Sequence, residues 1–374
     1  MTLKPYLTCC RQRENRTTAS PVLRAAFLVI GWAALVVAVS SCRAAGERSS
    51  GNKAPEYAVA SSTLTKRPLS AHQDSGPSPA GAEVESNHSS GGNRNPNAAL
   101  RLALEELTWS FSDANLGRID VVVVLPDRKP DQKFPLLVAL HGRGEALKGP
   151  ARGARGWVDD YALVRAMQRL SAPPLGTSDF EGIVTAQRLT TLNEALEREP
   201  YQGLVVVCPY TPDLLSGDKP FESVQPYTRF IIEELLPRAK RELPIVGTPD
   251  ATGIDGVSLG GRLGFLTGLF AAEHFHTVAG LQAAFDSEDA VALGRLGDDA
   301  FRRNPRIRFR LLTSDRDYFV QANHAIAAEF QNRRLPMQLK LIPGPHDYIF
   351  NRGPGSIEML FFHDRALRRE TWPE

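Results

Sequence analysis

The sequence predicts an α/β protein built on a largely parallel sheet with helices on both faces. Three observations carry this. Short runs rich in branched apolar residues alternate with longer amphipathic stretches, as they must when strand and helix alternate along the chain. Several of the runs are apolar throughout, the pattern of strands covered on both faces rather than one. Residues 98–374 are also long enough to form one such unit.

The elements follow in order. Strands are expected at residues 119–125 (IDVVVVL), 136–140 (LLVAL), 204–208 (LVVVC), 278–281, 307–312 and 337–342. A further short strand precedes the serine at 258. Helices are expected at 159–170, 183–197, 227–242, 259–274, 319–334 and 357–368. In sheets of this kind ligands sit beyond the carboxyl ends of the strands, so the chemistry is sought there.

The N-terminal segment has a different composition. Residues 25–39 (AAFLVIGWAALVVAV) are uncharged and mostly apolar and follow a basic stretch that ends at Arg24. That is the build of a signal peptide, and the run is short of the roughly 20 residues a spanning helix needs. It ends in Val39-Ser40-Ser41-Cys42, which resembles the bacterial lipobox. The resemblance implies export, removal of residues 1–41 and a lipid on Cys42 that tethers the protein to a membrane. Ordinary cleavage nearby and an uncleaved N-terminal helix are the alternatives. Residues 43–97 are rich in Ser, Gly, Asn and Pro and poor in large apolar residues, and read as a flexible tether.

Charge narrows the partners. The chain has a formal net charge of +2, and five of its 44 basic residues but one of its 42 acids lie before residue 42. The remainder is nearly neutral and lacks the basic face that nucleic acid would require. Once Cys9, Cys10 and Cys42 are assigned to the leader and lipid, Cys208 is the only cysteine left. Its place in an apolar run makes it a buried strand residue.

Residues 252–270 (TGIDGVSLGGRLGFLTGLF) read as strand, glycine-flanked serine and helix, and Gly256-Val257-Ser258-Leu259-Gly260 matches GxSxG. Glycines are needed there because a serine on a sharp strand-to-helix turn leaves no room for flanking side chains. Ser258 is therefore the candidate nucleophile. The Leu259 N–H, at the start of the helix, is the first oxyanion donor. A serine hydroxyl needs a base, and His346 lies in the loop PGPHDYIF after the last strand. Of the other histidines, His274, His276 and His324 fall on or at the end of helices, His88 in the tether and His363 near the chain end.

The base needs a carboxylate. The run TSDRDYF after the strand at 307–312 offers Asp315 and Asp317, of which Asp317 is preferred; Asp286, one strand earlier, is a third option. The loop after LLVAL supplies His141-Gly142-Arg143-Gly144, with the Arg143 N–H as second oxyanion donor and His141 ordering the loop. The chain order Ser, Asp, His is that of α/β-hydrolases. No HExxH or CxxC spacing calls for a metal, and no cofactor is expected.

These motifs carry a resemblance. LLVALHG, VVVCPY, FIIEELLP at 230–237, GVSLGG, TSDRDYF and GPHDY make residues 100–370 similar to the esterase D-like and feruloyl-esterase-like branch of the α/β-hydrolases. The resemblance implies that fold and cleavage of a carboxylic ester through an acyl-enzyme, without fixing the substrate. The same triad on peptides or thioesters, or a surface lipoprotein that binds a ligand without turnover, are the rivals. The 60 residues between HGRG and VVVCP depart from the pattern. Their helical stretches, within about 145–202, are expected to form a cap or lid.

Overall fold

The structure is a computed structural model that describes residues 67–68, 102–214 and 221–368. The apolar run at 25–39 and Cys42 lie outside the described residues, as does all of the expected tether except Arg67–Pro68. No helix among the described residues is long and apolar enough to cross a membrane.

Among the described residues nine strands form one sheet: β1 (Arg67–Pro68), β2 (Leu104–Asp113), β3 (Gly117–Pro126), β4 (Leu136–Leu140), β5 (Val205–Pro209), β6 (Thr252–Gly256), β7 (Thr277–Leu281), β8 (Arg308–Arg316) and β9 (Met337–Pro345). Their spatial order is β1-β2-β3-β5-β4-β6-β7-β8-β9. The pairs from β5 through β9 are parallel, and β1, β2 and β3 add an antiparallel edge. All five residues of each of β4, β5, β6 and β7 are buried, as the apolar composition of β4 and β5 leads one to expect.

Side chains alternate between two cores because a strand sends successive residues to opposite faces. Val121, Val123, Val138, Val205 and Val207 point into one core with Phe230, Leu263, Phe265 and Phe330. Val122, Val124, Leu137, Val206 and Cys208 point into the other with Leu163, Met167, Leu192, Leu196 and Leu360. Helices therefore cover both faces. Leu163–Leu170, Ala186–Arg198 and Ser356–Ala366 lie on one, and Leu259–Phe270, Ala290–Arg303 and Val320–Asn332 contribute to the other.

Two expectations change. β2 and the helix Ala290–Arg303 were not anticipated. In β2 Leu107, Trp109 and Phe111 alternate with the exposed Thr108, Ser110 and Ser112, the period of two that a half-buried strand requires. The helix expected from 159 starts at Leu163, because Ala162 adopts φ +53° and separates it from the wider π-helical turn Gly156–Asp160. Residues of the insertion expected to form a cap or lid contribute to the second core: Trp157, Tyr161, Leu163, Met167, Leu170, Leu192 and Leu196 are all buried in it. They roof that face of the sheet.

Candidate active site

The serine turn is held by its neighbours. Val257 N–H donates to the Leu140 carbonyl at 3.1 Å and Ser258 N–H to the Leu281 carbonyl at 2.9 Å, which pins the turn between β4 and β7. Ser258 sits at φ 56°, ψ −115°, a conformation costly for any residue with a Cβ. A methyl group at Gly256 would run into the Gly260 carbonyl, and one at Gly260 into the Leu140 and His141 carbonyls. The two glycines are thus steric necessities of the turn. Ser258 itself remains partly exposed at the sheet edge.

Register brings the candidate oxyanion loop, His141–Gly144, to the same edge, since Leu140 pairs with Gly256. Leu259 opens the helix Leu259–Phe270 and Arg143 opens the short turn Arg143–Ala146, so neither N–H has an acceptor within its own helix. The His141 ring is fully buried and orders this loop: its Nε2 accepts from Thr211 N–H at 2.8 Å while Nδ1 lies 2.9 Å from the Gly142 carbonyl. That pairing requires a neutral ring protonated on Nδ1. Burial agrees, lowering its pKa to about 4.

Asp317 and His346 meet. The His346 Nδ1 lies 2.7 Å from Asp317 Oδ1. Asp317 is buried and also accepts from the Thr313 hydroxyl at 2.6 Å and from Phe319 N–H at 3.0 Å. A bulge creates the encounter. Ser314 pairs with Ile342 but Arg316 pairs with Pro345, so β9 carries one residue more than β8 over this stretch. Without it Asp317 would face Pro345. The bulge is where Gly344 takes φ +143°, and Asp315 Oδ1 accepts its N–H at 2.9 Å.

The three carboxylates considered for this role therefore separate. Asp317 holds the histidine and Asp315 holds the bulge. Asp286 is exposed, with its own N–H bonded to Asp289 at the start of a short helical turn. Among the described residues, His346 bonds to Asp317 and no hydrogen bond joins it to the Ser258 hydroxyl.

Four further residues shape the site. Gln282, at φ +47°, follows β7 beside the serine turn. Its side-chain amide donates to Ser314 Oγ at 2.6 Å and to the carbonyl of Pro345 at 2.9 Å, tying the turn to the residue before His346. Glu145 is buried behind the oxyanion loop and accepts from the Tyr161 hydroxyl and, at 2.7 Å, from the Tyr348 hydroxyl. Tyr161 in turn accepts from Gly142 N–H at 3.2 Å. One carboxylate thus joins the oxyanion loop, the segment that roofs the sheet and the histidine loop. Glu145 directly follows HGRG, and Tyr348 lies two residues past His346 inside GPHDY. Proximity to the motifs was the available signal; the pairing was not readable from either.

No group of histidine, cysteine and acidic residues suited to a metal occurs among the described residues. Cys208 is a free, buried thiol whose pKa burial raises far above its usual value.

No family model and no curated relative matches the sequence. Solved structures do. A ferulic acid esterase superposes with a TM-score of 0.53 at 17% identity, over 71% of this chain and 99% of that one. The S-formylglutathione hydrolase of Staphylococcus aureus follows with a TM-score of 0.49 at 16% identity, over 70% and 99%. A fluorophosphonate-binding serine hydrolase of the same organism gives 0.49 at 14%, over 70% and 98%. The chain has the α/β-hydrolase fold.

Proposed function

We propose that the protein is a serine hydrolase that cleaves carboxylic esters through Ser258, His346 and Asp317. The observation that carries the reading is the 2.7 Å contact between His346 Nδ1 and Asp317 Oδ1, at the sheet edge where Ser258 occupies its strained turn. Asp317 fixes the tautomer by accepting a hydrogen bond from Nδ1–H, which leaves Nε2 free to act as base.

In the reaction, Nε2 takes the hydroxyl proton as Ser258 Oγ attacks the ester carbonyl. The Leu259 and Arg143 N–H groups receive the oxyanion. Collapse expels the alcohol, which takes its proton from Nε2. Water then repeats the sequence on the acyl-enzyme and releases the acid. The hydroxyl must swing to Nε2 as substrate binds, a tightening common in hydrolases whose free form has a loose serine–histidine contact.

Ser258→Ala is expected to lower kcat on p-nitrophenyl acetate by about 10⁶-fold. Equal turnover by the variant would end the reading. Labelling by a fluorophosphonate probe separates the esterase from a non-catalytic binder, because only an activated serine reacts. Aryl esters are the first substrates to screen, followed by thioesters and peptides. We also propose export and lipidation at Cys42; a Cys42→Ala variant expressed in bacteria should then lose incorporation of a palmitate analogue and leave the membrane fraction.

A further inference from the structure

An open cleft of about 310 Å³ lies along the outer edge of the sheet, between β9 and the start of the helix Ala186–Arg198. Its walls include Phe180, Ile183, Ile342, Pro343 and Pro354. Arg188, Lys340 and Glu358 bring charge to the same cleft. None of these residues takes part in the hydrolytic site.

The charges do not balance. Glu358 is buried and accepts from Arg188 Nε at 2.7 Å and Nη2 at 2.8 Å, and Arg310 Nη2 lies 3.5 Å away. Arg310, buried behind the cleft, is also favoured by the field of Asp255. Asp255 itself is engaged by His363, whose Nε2 lies 3.0 Å from its Oδ2. Three cations thus share two carboxylates. Lys340 is the cation left over: Glu358 attracts it from a distance, but its ammonium makes no ion pair within 4.0 Å. Burial and the positive charge of Arg188 both push the Lys340 pKa down.

An edge-strand lysine normally blunts sheet-to-sheet association by holding its charge in water. Lys340 instead keeps its charge half-buried beside a second cation, an arrangement that a bound anion would relieve. Arg188 spends Nε and Nη2 on Glu358 and keeps Nη1 available. The excess is a single positive charge, and most of the surrounding wall is apolar.

We propose that this cleft is a binding site for a small amphiphilic monocarboxylate, its carboxylate held by Lys340 and Arg188 and its apolar body against Phe180, Ile342 and Pro354. Size suits the assignment, since the cleft falls at the lower end of the range for small-molecule sites, about 300–1,000 Å³.

Calorimetric titration of the full chain with hexanoate, hexanamide and inorganic phosphate tests the site. Hexanoate should bind saturably, and hexanamide about tenfold more weakly because it lacks the charge. Lys340→Met should weaken hexanoate by a similar factor, while Lys340→Arg retains it; the arginine variant shows that a fold defect is not the cause. Binding of hexanoate near Ser258 would survive Lys340→Met. Equal affinity of wild type and Lys340→Met overturns the proposal, as does the absence of saturable binding. Phosphate binding as tightly as hexanoate would also refute it, because the apolar wall would then contribute nothing.

Discussion

At the scale of single residues, two aspartates two positions apart have unequal duties. Asp317 touches the histidine, whereas Asp315 touches only the backbone of Gly344. Asp317→Asn would keep the shape but lose the acceptor that selects the Nδ1-protonated tautomer, so kcat should fall by about 10⁴-fold with the fold intact. Asp315→Asn should cost far less, about tenfold or below, because a side-chain oxygen can still accept the Gly344 N–H. Steady-state kinetics on one chromogenic ester separates the two. An Asp315 variant as damaged as the Asp317 variant would mean that the bulge, and not the acid, sets the histidine.

At the scale of elements, the serine turn and the oxyanion loop depend on different supports. The turn is held by steric demand. Gly260→Ala would drive a methyl into two carbonyls of the neighbouring strand end, so it should destabilise the protein by several kcal/mol or prevent folding, on the order of 3 kcal/mol or more. The oxyanion loop is held by a buried carboxylate. Glu145→Ala would strand the buried Tyr161 hydroxyl and cost the exposed Tyr348 its bond, which together predict about 3 kcal/mol of destabilisation. Glu145→Gln, which keeps one acceptor oxygen, should recover part of it. Urea unfolding of the three variants measures this, and a neutral Glu145→Ala would remove the network from the account.

These supports also mark where the sequence is legible. Gly256, Ser258 and Gly260 are close in sequence, and local sterics dictate their spacing. The parallel core was legible for a similar reason: strands buried on both faces advertise themselves as unbroken apolar runs. Pairing Glu145 with Tyr348 needs the register of distant strands, and no local pattern encodes that. The bulge on β9 is equally hidden, because a proline and a glycine after a strand announce a turn without saying how many residues it absorbs. The segment after HGRG reads as helical from its amphipathic pattern, which shows that one face is buried and not what buries it. Asp317 was favoured on the spacing of its turn, yet only the register Arg316–Pro345 distinguishes it from Asp315.

At the scale of the whole molecule, buried neutral histidines make stability depend on pH. His141 must stay neutral because its Nε2 accepts the Thr211 N–H, and burial lowers its pKa from 6.5 to about 4. His363, fully buried between Thr277 and Asp255, is also pushed down by burial. A histidine whose folded pKa lies below its unfolded value gives the unfolded chain the extra proton between the two. The stability His141 contributes is therefore complete above about pH 6.5 and is lost as pH falls towards 4, at about 1.4 kcal/mol per pH unit and about 3 kcal/mol in all. Glu358, whose pKa is lowered chiefly by the Arg188 bond against the opposing cost of burial, adds a loss of the same sign at still lower pH. Urea unfolding at pH 7.5, 6 and 5 should show the midpoint falling monotonically. His141→Asn, which removes the titrating ring while its side-chain oxygen can face Thr211, should flatten the slope between pH 6.5 and 4 by close to one proton. An unchanged slope in that variant would place the acid sensitivity elsewhere and deny His141 its neutral, loop-ordering role.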